Sequence, residues 1–292
     1  MCPQNYKSLL SETLDGMVEE IRRTRHLSSV FTDDWIQQLR KKISEYSGEE
    51  SFKTNTHAFF IGFLQEKRSG RYFIRTLDKC FGAIKGVIGR DGIGRLENQL
   101  RDLTRPLGQY WGTVFSTIII GRCAQHGLLK SPQDYEPKVG IGNNRADALI
   151  TVGENEVLLE ATVCISGREL ISGAIDDLGA LEDKIEDKVL EKAWQLQDAT
   201  RPILLFLHPH LSMTGIEIQS ALGKVFREAS TRAMAGVVLA MNTTIHGWRF
   251  TYVRNIYPDS KQLPETVFIS LSEIFKFKEL KLDAHPVEWA RW

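Results

Sequence analysis

Cysteine is scarce in this sequence and badly placed for chemistry. Cys2, Cys80, Cys123 and Cys164 form no CxxC pair. That spacing excludes a zinc knuckle or a disulfide framework and fits a reducing compartment, so the cytoplasm is the expected location. Net charge is also missing, because 37 Lys and Arg meet 37 Asp and Glu. The basic excess of many nucleic-acid binders is therefore absent from the total, although a local basic face can hide inside a neutral sum. The longest apolar stretch, Val114 to Ile120, falls far below the ~20 residues of a spanning helix, so no membrane partner is expected. The opening Met-Cys-Pro-Gln-Asn-Tyr-Lys has no apolar signal core.

Several catalytic signatures are missing too. The cluster Gly86-Val-Ile-Gly89-Arg-Asp-Gly92-Ile-Gly94 lacks the Gly-Lys-Ser/Thr ending of a phosphate loop and reads as a flexible break. Gly140-Ile-Gly142-Asn-Asn reads as a turn. Ser116 and Thr117 lie in an apolar helix without a Gly-x-Ser-x-Gly pattern, which speaks against a hydrolase triad. His208 and His210 end a strand without a third ligand at zinc spacing. The tryptophans and phenylalanines are read as core.

What is present is the profile of a globular chain, with 42% hydrophobic and 25% charged residues. Helical spacing of apolar residues covers Ser11 to Arg25, a segment begun by Thr32-Asp-Asp-Trp-Ile, Phe52 to Gln65 and Tyr72 to Val87. Residues 1–100 are accordingly expected as a helical region and 101–292 as an α/β domain. In the latter, Tyr110 to His126 predicts a buried helix and Pro137 to Gly142 a short strand. Asp176 to Gln197 predicts a charged helix, Pro202 to Leu207 a central strand and Gly215 to Ser230 a helix. Gly236 to Met241 predicts another buried strand, and the alternating His246 to Val253 an outer one.

The most informative stretch is Arg145-Ala-Asp147-Ala-Leu-Ile-Thr-Val152, a Gly-Glu-Asn turn, then Val157-Leu-Leu-Glu160-Ala-Thr162-Val. Two β-type runs around a tight turn predict an antiparallel hairpin. One acid sits in each apolar run, and a carboxylate there costs stability unless it is paired or holds a metal. Asp147 and Glu160 are thus candidate ligands of one divalent cation. The rival reading pairs Asp147 with Arg145 and leaves Glu160 facing solvent.

The order of helix, three strands, helix and strand, with an acid on each of two consecutive strands, resembles the restriction-endonuclease-like fold of the PD-(D/E)xK nuclease superfamily. The resemblance covers roughly residues 108 to 208. It matches Asp147 and Glu160 to the motif acids and departs at Thr162, which stands where the motif has lysine. It departs again at Thr113 to Gln125, which holds no acid where the superfamily often has a glutamate. The resemblance implies a mixed sheet flanked by helices, and Mg²⁺ (or Mn²⁺) held by Asp147 and Glu160. Lys188, Lys192 and Gln195 fall on one stripe of the following helix. They are candidates to supply the missing positive charge and to position water or phosphate; a solvated charged face is the plainer alternative. Thr162 would add at most a hydrogen bond, and Arg145 is a candidate phosphate contact.

The function implied is metal-dependent hydrolysis of phosphodiester bonds in DNA, or RNA as the lesser expectation, in a defence or mobile-element setting. The alternative is a catalytically silent nuclease-like scaffold for protein or nucleic-acid binding. The N-terminal helices would then serve as a substrate-binding, homodimer or protein-partner surface.

Overall fold

The computed structural model describes residues 3–45, 67–140, 143–164, 179–209, 215–243 and 247–282. The helix expected over Phe52 to Gln65 lies outside them. The described residues divide into two compact units, one from the chain up to Gly121 and one from Arg122 onward.

The first unit is helical. It contains α1 (Pro3–Arg22), α2 (Leu27–Val30), α3 (Asp33–Ser44), α4 (Lys67–Lys85), α5 (Arg90–Arg101) and most of α6 (Leu107–Gln125). Leu14, Met17, Val18 and Ile21 of α1 are buried with Ile74, Leu77 and Ile84 of α4, as their helical spacing requires. Thr32 caps α3 by accepting the Trp35 N–H at 3.4 Å, and Asp33 and Asp34 fill its first turn. Asp78 accepts the backbone N–H groups of His26 and Leu27, each at 2.8 Å, which ties the α1–α2 corner to α4. The glycine cluster breaks the chain only up to Gly89, the cap of α5; Gly92 and Gly94 are helical. There Leu96 and Leu100 supply a buried stripe, and that burial outweighs the poor helix propensity of glycine.

The second unit is a six-stranded mixed sheet with strands in sequence order. The strands are β1 (Ala148–Val152), β2 (Asn155–Val163), β3 (Ile203–His208), β4 (Met234–Thr243), β5 (Gly247–Arg254) and β6 (Lys278–Leu280). β1 and β2 are antiparallel, β2, β3 and β4 are parallel, β5 is antiparallel to β4, and β6 is parallel to β5. Parallel neighbours need crossovers. α7 (Gly179–Gln195) and α8 (Gly215–Val225) lie between β2 and β3 and between β3 and β4. Ile185, Val189 and Ala193 of α7 and Ile218, Ala221 and Leu222 of α8 bury one face with Leu205, Leu207 and Val237. The opposite face is aromatic: Phe206, Phe250 and Phe275, the last from α9 (Glu265–Phe275), meet ring to ring. All six residues of β3 are buried, as expected of a central strand.

Three expectations need correction. Pro137 to Gly142 is not a strand where it is described: isolated bridges join Tyr135 to Ala148 and Lys138 to Arg145. Pro137 has no N–H, and Glu136 and Gly140 sit at φ 49° and 65°, so no ladder runs through them. β5 is not outermost, because β6 covers Thr251 to Val253; a three-residue strand is too short to show alternation. The helix from Gly215 ends at Val225, and Ser230 falls in a separate 3₁₀ turn, Ala229–Ala233.

The β3–β4 register shifts between Ile203 and Leu204, whose partners are Met234 and Gly236, so Ala235 is the extra residue of a bulge. Its carbonyl accepts the Tyr252 hydroxyl at 3.0 Å and the Asn255 N–H at 3.1 Å. The Tyr252 ring then lies over Gly236, where a Cβ would come within 2.5 Å of both the ring and the Val253 oxygen. Gly236→Ala is expected to cost about 1–3 kcal/mol, the range for overpacked sites. Urea or thermal unfolding of the variant measures it; an unchanged midpoint would contradict this close approach.

Candidate functional site

The hairpin loop is two residues long, because Val152 pairs with Asn155. Gly153 takes φ 61° at its first position, as a II′-type turn needs. From there the register runs back to Ala148 opposite Leu159, the last regular pair; Asp147, just before β1, is tied to β2 by irregular bonds. The Asp147 N–H is shared between the Leu159 carbonyl at 3.1 Å and Glu160 Oε2 at 3.2 Å. In return, Asp147 Oδ2 accepts the Ala161 N–H at 2.7 Å. Each carboxylate is thus held by the backbone of the other's strand.

α7 brings the counter-charge. Lys192 Nζ lies 2.6 Å from Glu160 Oε1 and donates to Gln195 Oε1 at 3.0 Å. Gln195 Nε2 reaches the Arg145 carbonyl at 3.5 Å, at the limit of a hydrogen bond. Asp147, Glu160, Lys192 and Gln195 therefore converge. Glu160 is 3% exposed, which rules out the reading in which it faces solvent. Thr162 is buried two residues along the same strand face, opposite Leu207 of β3.

The other two candidates stand apart. Lys188 is engaged by Glu191 at 2.5 Å, and its charge acts on the Cys164 thiol, which burial pushes up to about 12. Arg145 is exposed, and its guanidinium donates to the Glu136 carbonyl at 2.6 Å. It does not pair with Asp147.

Glu136 is the residue that periodicity missed. Its N–H donates to the Asp147 carbonyl at 3.0 Å, and its negative charge adds to burial and Glu160 in raising the Asp147 pKa. Its only sequence signal is an acid before a proline, which any loop can contain. The Ser116 and Thr117 hydroxyls both donate back to the Thr113 carbonyl, at 3.1 and 2.7 Å. His208 is buried with Nδ1 2.7 Å from the Ala240 carbonyl oxygen, and His210 lies outside the described residues. Trp194 breaks the core expectation. It is 61% exposed, on a groove of about 460 Å³ shared with Gln197, Asp198 and Arg232.

Electrostatically the site is short of positive charge. Asp147 keeps some surface open to solvent, yet protein surrounds the rest of it. Burial first, then the neighbouring Glu160, lift its pKa well above the usual carboxylate range. Burial also raises Glu160, against the pull of Lys192. Lys192 is raised as well, because Glu160 and Asp147 outweigh its own burial. Lys192 offsets the charge of Glu160, and the cost of a second buried charge is what favours the protonated form of Asp147.

That donor set suits a small hard cation. Asp147 Oδ1 accepts no hydrogen bond among the described residues, and carboxylate oxygens are the preferred ligands of Mg²⁺ and Mn²⁺. No group of three His, Cys, Asp or Glu side chains able to hold a metal occurs among the described residues. Mg²⁺ keeps several waters and is commonly held by one or two carboxylates, so Asp147 and Glu160 fit that role. Among the described residues no helix is long and apolar enough to cross a membrane. No protein-family profile, curated protein or solved structure matches the chain.

Two outcomes are expected. A carboxyl whose folded-state pKa is raised favours folding only while protonated, and that stability is lost as pH climbs from ~4 through the raised value. Asp147→Asn should therefore match wild type near pH 4 and overtake it toward pH 8, by up to about 2 kcal/mol. Unfolding midpoints against pH read this; parallel curves would mean that Asp147 ionises without penalty. Lys192→Met strands Glu160 and should cost about 3–5 kcal/mol near neutral pH. Lys192→Met with Glu160→Gln should recover most of it, and a purely additive double-mutant cycle would deny the pair.

Proposed function

We propose that this protein is a metal-dependent nuclease of the restriction-endonuclease-like type, hydrolysing phosphodiester bonds in DNA, with RNA as the lesser substrate. The observation that carries the reading is the convergence of Asp147, Glu160 and Lys192: an acid at the entry to β1, an acid within β2 and a lysine from the next helix. The element order supports it. Helix α6, the bridged segment at Tyr135 to Lys138, the β1–β2 hairpin, α7 and the parallel strand β3 follow the order that the resemblance implies.

In this reading Asp147 and Glu160 hold the cation, which when bound offsets charge growing on phosphate oxygens and acidifies a water. Lys192 takes the part of the lysine that Thr162 lacks: its ammonium, three residues from Gln195, faces the place where negative charge develops. Gln195 offers an amide that orients water or a phosphate oxygen. Thr162 contributes a hydroxyl, and Arg145 stands at the exposed rim. Lys188 has no share in the chemistry.

One observation favours a second reading, a catalytically silent scaffold. The ion pair between Lys192 and a nearly inaccessible Glu160 closes the motif on itself, and such a pair can persist as a purely structural lock.

Titration calorimetry with Mg²⁺ and Mn²⁺ separates the two, followed by cleavage assays of DNA and RNA on the same samples. Wild type is expected to bind metal and cleave, and Glu160→Ala to lose both. Lys192→Ala should lower the cleavage rate by about 10²–10³, the usual contribution of one group that stabilises developing charge, with Lys188→Ala within a few-fold of wild type. No metal binding by wild type would sink the enzyme and leave the scaffold.

A further inference from the structure

The chain's neutral total conceals an asymmetry. Residues 1–121 carry 18 Lys and Arg against 14 Asp and Glu, and residues 122–292 carry 19 against 23. The basic excess thus belongs to the helical unit, and α4 concentrates it. Over its 19 residues the sole acid is Asp78, which is buried and committed to the backbone of the α1–α2 corner. Arg71, Arg75 and Lys79 recur at intervals of four, on one exposed face, spaced about 6 Å along the axis. Tyr72 lies beside them, 49% exposed. Among the described residues, the acid paired with this row comes from α1. Glu20 is buried beneath Arg71 and Arg75, and Glu19 is engaged by Arg23. Arg23, Arg71, Arg75 and Lys79 thus outnumber them, and Lys79 has no ion pair among the described residues.

We propose that this face of α4 is a nucleic-acid-binding surface, with Arg71, Arg75 and Lys79 contacting backbone phosphates and Tyr72 stacking on a base. A helix face with cations one turn apart and no acid among them attracts a polyanion by releasing its condensed counterions. An exposed aromatic ring within that row gives single strands a stacking platform. The choice of a nucleic acid as the polyanion rests on the nuclease reading above. Glu20 explains why the row is ordered: a buried carboxylate anchors Arg71 and Arg75 from below, so their outward edges are held in place.

Fluorescence anisotropy tests this with labelled single- and double-stranded oligonucleotides of mixed sequence, in EDTA so that nothing is cleaved, across a salt series. Wild type should bind with a steep inverse salt dependence. Arg71→Ala with Lys79→Ala should weaken binding roughly tenfold per contact at ~0.1 M salt and flatten the log–log slope by about 1 for each. Lys79→Gln, which disturbs no ion pair, should do the same for one contact. Tyr72→Ala should weaken single-strand binding about tenfold and leave the slope alone. Absence of binding by wild type, or slopes unmoved in the variants, overturns the proposal. A protein that binds through this face but never cleaves with metal would retain this surface and lose the nuclease reading. Cleavage with unmoved slopes would do the reverse.

Discussion

Everything about the site depends on the register of one hairpin. Strand side chains alternate with a period of two, so a slip of one residue would carry Asp147 or Glu160 to the opposite face of the sheet. The two-residue loop, with Gly153 at positive φ, fixes the count from the turn outward. The reciprocal bonds at the far end, from the Asp147 N–H to Glu160 and from the Ala161 N–H to Asp147, lock it. The same bonds draw like charges together, a cost that the rest of the unit must offset.

That offset comes from α7, which carries two stripes at once. Ile185, Val189 and Ala193 are buried against the sheet, and this fixes how the helix is rotated. Lys192 and Gln195 flank the same stripe, so the packing that buries the apolar residues also aims the ammonium at Glu160. Lys188 lies one turn earlier, where Cys164, just past β2, stands rather than an acid, and its charge goes to Glu191. A turn of helix, about 5.4 Å, decides which of two similar lysines meets the carboxylates.

This explains which parts of the site are legible from sequence. The hairpin, its two acids and the lysine stripe follow from periods of 2 and 3.6, which need no partner to be read. Choosing Lys192 over Lys188 needs the longitudinal position of α7 over β2, a tertiary quantity. Glu136 belongs to a non-repeating loop whose carbonyl and N–H groups bond to Arg145 and Asp147; it has no period at all. The helix α5 was hidden because Gly92 and Gly94 look like punctuation when local propensity is read without burial. β6 was hidden because three residues cannot display alternation.

The threonine at 162 is intelligible once Lys192 is in place. Residues 160 and 162 share a strand face, so a lysine at 162 would bring a second ammonium into a buried space that already holds one. Its desolvation would be repaid only by a carboxylate, and Glu160 already spends one oxygen on Lys192 and the other on the Asp147 N–H. A β-branched residue suits the strand instead, and among the described residues Asp147 Oδ1 is the acid oxygen of the pair that accepts no bond. Lys192 answers only one of the two carboxylates. Burial and Glu160 therefore favour a neutral Asp147 well above the usual carboxylate range, and its ionised form would need a further positive charge beside it.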